Sequence, residues 1–294
     1  MLATCCELRL CLLIDWARPG VDVHAETIEE EMYLGEHAFF AAHHRASSDT
    51  YLVIAPPLFE ELSRTRKILV NLSRLVAETG INVVRFDYYG TGLSDGDFMD
   101  FDLHEAQQNL ATVLAYCRDQ GARRIVLLGF RFGGYLALAH QSQVDAVLAW
   151  EPVLDLAAHF REMTRIELGN ELVAYGKPRN NQDGLIARLE EEGSVLLDGF
   201  RVGRAVYRQF GEAPAIPMES LRSPRVSLFF WEHQKLHEQA QKLGVESLWI
   251  TAVRFSWRHI RFLEPRSQDL FVRTMARLPE RRMHASEQRE ALSL

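Results

Sequence analysis

The chain has 294 residues, 47% hydrophobic and 25% charged, with a formal net charge of -7. This suffices for one large α/β domain with a packed core, and the acidic balance excludes a chain-wide nucleic-acid role while allowing a local anion-binding patch. The four cysteines, Cys5, Cys6, Cys11 and Cys117, form no C-x-x-C pair, which excludes the usual zinc and disulfide frameworks and points to reduced thiols in a cytoplasmic protein.

Residues 1–22 read as an irregular extension. Its apolar run LRLCLLI, Leu8 to Ile14, is too short to cross a bilayer and lacks a basic leader and a cleavage site. His24 to Ala46 reads as paired strands, TIEEEMYL and HAFFAAHH, with Gly35 between them. YLVIA, Tyr51 to Ala55, is a short buried strand ended by Pro56-Pro57. Glu60 to Thr79 has apolar residues at Ile68, Leu69, Leu72, Leu75 and Val76, a helical spacing that Gly80 stops. INVVRF, Ile81 to Phe86, is the next strand. A glycine-rich loop, a helix over Leu103 to Gln120, a strand at Arg124 to Leu128, a helix from Gly133 and a strand at Ala146 to Trp150 follow. Strands alternating with helices imply a mostly parallel, doubly wound sheet.

The rhythm breaks from about Asp155 to Pro224. This segment holds helical patches and an apolar pair around VLLDGFRVG, and reads as a helical cap over the carboxyl edge of the sheet. The strand RVSLFFW, a helix near His233 to Leu243, a strand over Ser247 to Val253 and a helix over Ser267 to Arg277 complete one domain, residues 23–278. Residues 279–294 are a charged tail.

The chemistry turns on LLGFRFGGYLALAH, Leu127 to His140. A strand, then Gly129-x-Arg131-x-Gly133-Gly134, then a helix is the frame of a nucleophile elbow, whose small residues let two backbones approach. One helix and one strand upstream lies DYYGTGLSDGD, Asp87 to Asp97. Together these motifs resemble the α/β-hydrolase fold, in its serine-aminopeptidase-like branch. The run PPLFEELSRTRK, the elbow arginine and SVLLDGFRVGRAVYRQF resemble more narrowly the second type of exosortase-A-associated hydrolase. That group is found beside exopolysaccharide and protein-sorting genes and tends to carry Arg at the elbow. The resemblance implies a setting in bacterial exopolysaccharide or cell-surface assembly.

A guanidinium cannot attack a carbonyl, so serine hydrolysis at Arg131 is excluded as it stands. By chain order the acid position falls at Glu232 and the histidine at His259. No substitute nucleophile stands out. Ser94 belongs to the glycine-rich loop, Cys117 to a helix core, and Ser142 lies too far along the elbow helix. Two roles for Arg131 remain open. With Phe132, Leu58 and Phe59 it would line an anion-accepting pocket, where a helix N-terminus and loop N–H groups already favour negative charge. Otherwise it is locked to a neighbouring acid, with Asp87, Glu151 and Glu232 as the candidates.

His43 and His44, adjacent in a strand, point to opposite faces and cannot chelate together. His233 and His237, spaced i, i+4 without the H-E-x-x-H glutamate, read as a solvated helix face. The basic run RFSWRHIRFLEPR reads as amphipathic packing near the sheet edge. The reading is thus an atypical or non-hydrolytic member of the fold, with no cofactor, no metal, no nucleic-acid partner and no stable membrane insertion. An anionic small molecule or saccharide is its candidate ligand. An active esterase or peptidase-like hydrolase with another nucleophile, and a scaffold without a small ligand, are the alternatives.

Overall fold

The computed structural model describes residues 28–250, 270 and 273–278. Eight strands form one sheet: β1 (Glu29–Leu34), β2 (Phe39–His44), β3 (Thr50–Ala55), β4 (Asn82–Phe86), β5 (Arg124–Phe130), β6 (Ala146–Trp150), β9 (Val226–Phe230) and β10 (Ser247–Trp249). Their order is β1-β2-β4-β3-β5-β6-β9-β10. The pairs β1–β2 and β2–β4 are antiparallel and the rest parallel. The continuous apolar runs in β3, β5 and β9 follow from burial on both faces.

Alternate residues supply the two faces. Leu52 and Ile54 pack with Ile68, Leu72 and Val76 of helix α1 (Phe59–Glu78), the stripe expected from the spacing. Tyr51, Val53 and Ala55 face the other way, toward Leu110, Val113, Leu114 and Cys117 of α2 (Leu103–Asp119). Asp102 starts α2 by accepting a hydrogen bond from Glu105 N at 2.7 Å. The two histidines of β2 do part to opposite sides. His43 meets Tyr116 and Asn82, whereas His44 sits 3.6 Å from Glu29.

After β5 come the short helix α3 (Phe132–Ala139) and β6, then the cap. The cap comprises α4 (Leu156–Tyr175), α5 (Gln182–Glu192), the hairpin β7 (Ser194–Leu197) and β8 (Phe200–Gly203), and α6 (Arg204–Glu212). Asp155 caps α4 through Ala158 N, and Gly176, at φ 74°, ends it. Phe160, Leu189, Val195 and Phe210 of the cap belong to the same apolar cluster as α2 and α3, so the cap is packed onto the sheet and not merely tethered. Phe132 stacks on Phe210 with ring centroids 5.7 Å apart. Beyond β9 lies α7 (Gln234–Lys242). The extension 1–22, the tail 279–294, the basic run and His259 lie outside the described residues.

Candidate functional site

Arg131 joins β5 to α3 at φ 51°, ψ -110°. A non-glycine residue is rarely held there, and the neighbours show how it is done. A Cβ on Gly133 would stand 2.1 Å from Ala55 O, and one on Gly129 2.2 Å from Gly133 O, so only glycine lets these backbones cross. Arg131 N donates to Trp150 O at 3.0 Å, and Val153 N donates to Arg131 O at 3.1 Å. Phe59 (φ 56°) and Glu151 (φ 42°) are also in the left-handed region. Phe59 follows β3 and Glu151 follows β6, so the three positions lie at the carboxyl ends of β3, β5 and β6, neighbours in the sheet.

The Arg131 side chain is 4% exposed. Its Nε donates to Glu61 Oε1 at 3.0 Å and its Nη2 to Glu162 Oε2 at 3.2 Å. Glu61 lies in the first turn of α1 and Glu162 in the cap helix α4, so one guanidinium joins core, elbow and cap. Burial pushes its pKa down, but Glu61 and Glu162 push harder, and the net shift is upward. Arg131 stays a cation.

These partners replace the three expected ones. Asp87 accepts from Arg66 Nη2 at 2.7 Å and from Leu93 N at 2.9 Å, closing the glycine-rich loop. Glu151 is fully buried and makes its contacts elsewhere. Its Oε1 accepts from the backbone N–H groups of Trp231 and Glu232, and its Oε2 lies 2.5 Å from His233 Nδ1. The Glu232 residue is exposed, and its tie to this centre is its main-chain N–H. The buried carboxylate beside the elbow therefore comes from Glu151, one strand earlier than expected. His233 and His237 are not a solvated helix face either. His233 caps α7 against Glu151, and the His237 ring packs 5.7 Å from Trp249 and 6.1 Å from Phe230.

No displaced nucleophile appears among the described residues considered. Ser94 Oγ donates to Asp87 O and accepts from Phe40 N, both at 2.8 Å, which pins the loop to β2. Cys117 is completely buried, and burial pushes its thiol up to about 12. Ser142 lies in an exposed turn after α3. Among the described residues no cluster of His, Cys, Asp or Glu could hold a metal ion, and no helix is long and apolar enough to cross a membrane.

A cavity of about 720 Å³ opens between α1 and α4. Phe59, Met163, Ile166 and Val173 supply apolar wall, and Arg131 and His159 are its most buried polar lining. Leu58 and Phe132 are both fully buried and do not border it. Among the described residues the wall holds the carboxyl groups of Glu60, Glu61, Glu162 and Asp198 and the guanidinium groups of Arg64, Arg131 and Arg165. Burial and the adjacent Glu60 push the Asp198 carboxyl up.

Glu162 is held down to about 2, by His159 first and then by Arg131 and His233, against the upward push of burial. A carboxyl depressed in the folded state stabilises it above the unfolded value and ceases to as pH falls through the folded one. The stability difference between wild type and Glu162→Gln is therefore expected to be constant from neutrality to about pH 5, near the upper edge of unfolded carboxyl titration. It should shrink between there and pH 2. Urea titrations at a series of pH values check this, and a gap that persists unchanged at pH 2 would rule it out.

The sequence pattern of the Alpha/beta hydrolase family matches residues 57–283, most of the chain. The chain belongs to the alpha/beta hydrolase family. The mostly parallel central sheet with flanking helices is the fold of this family. Among solved structures it is similar to Est1E from Butyrivibrio proteoclasticus, bound to ferulic acid, at 16% identity and a TM-score of 0.54, over 83% of this chain and 98% of that one. It is also similar to the alpha/beta hydrolase GrgF from Penicillium sp. sh18, at 19% identity and a TM-score of 0.50, over 76% and 89%. The match to XC6422 of Xanthomonas campestris, a serine hydrolase without lid, is 25% identical but covers 47% of this chain and 65% of that one, with a TM-score of 0.37. No curated protein matches the chain. The likenesses to Est1E and GrgF speak for the fold.

Proposed function

We propose that this alpha/beta hydrolase binds a small ligand beneath its cap and forms no covalent intermediate at its elbow. The observation that carries the proposal is Arg131, clamped between Glu61 and Glu162 where the family's nucleophile would stand. A cation with its pKa shifted upward is neither nucleophile nor base at neutral pH. The anion-accepting role is the poorer fit. Two guanidinium N–H directions are taken by carboxylates, and among the described lining residues carboxyl groups outnumber guanidinium groups, which gives an anion no advantage. A neutral ligand fits better. A cavity of this size also favours a ligand-binding role over that of a bare scaffold. The resemblance to exosortase-A-associated hydrolases supports a setting in exopolysaccharide or cell-surface assembly, where a saccharide or its conjugate is the candidate ligand.

Incubation with a fluorophosphonate probe tests the proposal. No stoichiometric label is expected. Modification of a single serine, lost when that serine is replaced, would instead establish an active serine hydrolase. A second reading has one observation in its favour. Glu151 holds His233 Nδ1 as the acid of a triad holds its histidine, so His233 has the orientation of a base that activates water. Ester turnover without covalent labelling, abolished by His233→Phe, would favour it.

A further inference from the structure

We infer that the buried end of the cavity is a seat for a hydroxyl group, built from His159 and Glu61. Its ligand is then a neutral, largely apolar molecule carrying an alcohol or phenol. The inference rests on the reading of the cavity as a ligand site.

The argument starts from unmet polar atoms. The His159 side chain is 4% exposed and borders the cavity; it acts on Glu162 as a neighbouring ion-pair partner, yet among the described residues neither ring nitrogen makes a hydrogen bond. Its Nδ1 stands 3.8 Å from Glu162 Oε2, within ion-pair range but beyond a hydrogen bond. Glu61 uses Oε1 on Arg131, while its Oε2 is buried and without a partner. Buried polar atoms are rarely left this way. Glu61 meets the Nε of Arg131, Glu162 meets its Nη2 and His159 adjoins Glu162, so the residues that carry the unmet atoms flank one guanidinium. Closing the gap between His159 and Glu162 would satisfy one ring nitrogen only, and would leave Glu61 Oε2 as it is.

A hydroxyl is the group that answers both needs. It donates its proton to a carboxylate oxygen and accepts from an imidazole N–H through the same oxygen. A ligand carboxylate would face Glu61 and Glu162, and an ammonium would face Arg131 and has no lone pair to accept with. The nitrogens of His159 lie just behind the cavity surface, so seating the hydroxyl takes a small outward movement of α4. Phe59, Met163, Ile166 and Val173 supply the apolar surface for the rest of the molecule.

Fluorescence titration with three probes of one shape tests the inference: 2-naphthol, its methyl ether, and 2-naphthoate. The wild type is expected to bind 2-naphthol about tenfold more tightly than either of the others, the factor one well-made hydrogen bond is worth. His159→Phe should abolish the preference for naphthol over the ether. His159→Gln, which keeps a polar head of similar reach, should retain part of it. Equal binding of naphthol and ether by the wild type would overturn the hydroxyl seat and leave the cavity as an apolar ligand site. Tightest binding of naphthoate would overturn it in favour of an anion site at Arg131. If no probe binds up to its solubility, the inference and the cavity reading fall together.

Discussion

Arg131→Ser is expected to destabilise the protein by about 3 kcal/mol and to produce no esterase. Removing one member of a buried ion pair leaves its partners as uncompensated charges, at a cost of about 3–5 kcal/mol. Here Glu61 and Glu162 would both lose the guanidinium they share. The lower end applies because the Glu162 side chain is 35% exposed and water screens part of its charge. The restored hydroxyl would stand beside Glu61 and Glu162, and His233, the candidate base of the second reading, is paired with Glu151 and does not border the cavity. Combining Arg131→Met with Glu61→Gln and Glu162→Gln removes all three charges together, and should recover most of the lost stability. Urea denaturation of wild type, Arg131→Ser and the combined variant, with a short-chain nitrophenyl ester assay beside it, measures both halves. Unchanged stability in Arg131→Ser would show that the clamp contributes nothing, and brisk ester turnover would show that a base stands ready.

Glu151→Ala is expected to cost about as much, roughly 3–4 kcal/mol, and for a different reason. Its carboxylate sits at the end of β6 and accepts from two backbone N–H groups at the end of β9 and from His233. With alanine both main-chain donors remain buried beside a void, and each unmet donor costs about 1–3 kcal/mol. Glu151→Gln retains one acceptor oxygen for the main chain and should lose about half as much. The ratio of the two losses, read from denaturant midpoints, separates the hydrogen bonds from the charge. Equal losses in both variants would mean that the negative charge, and not the acceptor geometry, is what the strand ends require.

The framework was legible because its signals are local. Apolar runs bounded by glycine and proline mark β3 to β6, and Gly129 and Gly133 are spaced as a strand-to-helix crossing demands. The partners of Arg131 were not legible. Glu61 lies 70 positions away and Glu162 lies 31 away on a cap whose seating is decided by packing. In the sequence Glu61 looks only like an acid in the first turn of a helix, a common feature that the helix dipole explains. Glu151 offered a better signal, a carboxylate directly at the carboxyl end of an apolar central strand, where side chains of this fold class converge. His233 was misread because its spacing to His237 suggested one helix face, whereas it occupies the residue before the helix begins.

The double clamp on Arg131 also bears on how a ligand comes and goes. Were the cap helix to draw back as a ligand enters, Glu162 would move with it, whereas Glu61 belongs to the core and would stay. With a single partner on the cap, every opening would strand a buried cation, and exchange would be slow in proportion to that cost. With a second partner in the core, the guanidinium would keep Glu61 for as long as the cap is away, and opening would part its half-screened contact with Glu162. Passage through the cavity would then strain the hold from the cap, while the hold from the core would keep the side chain in place.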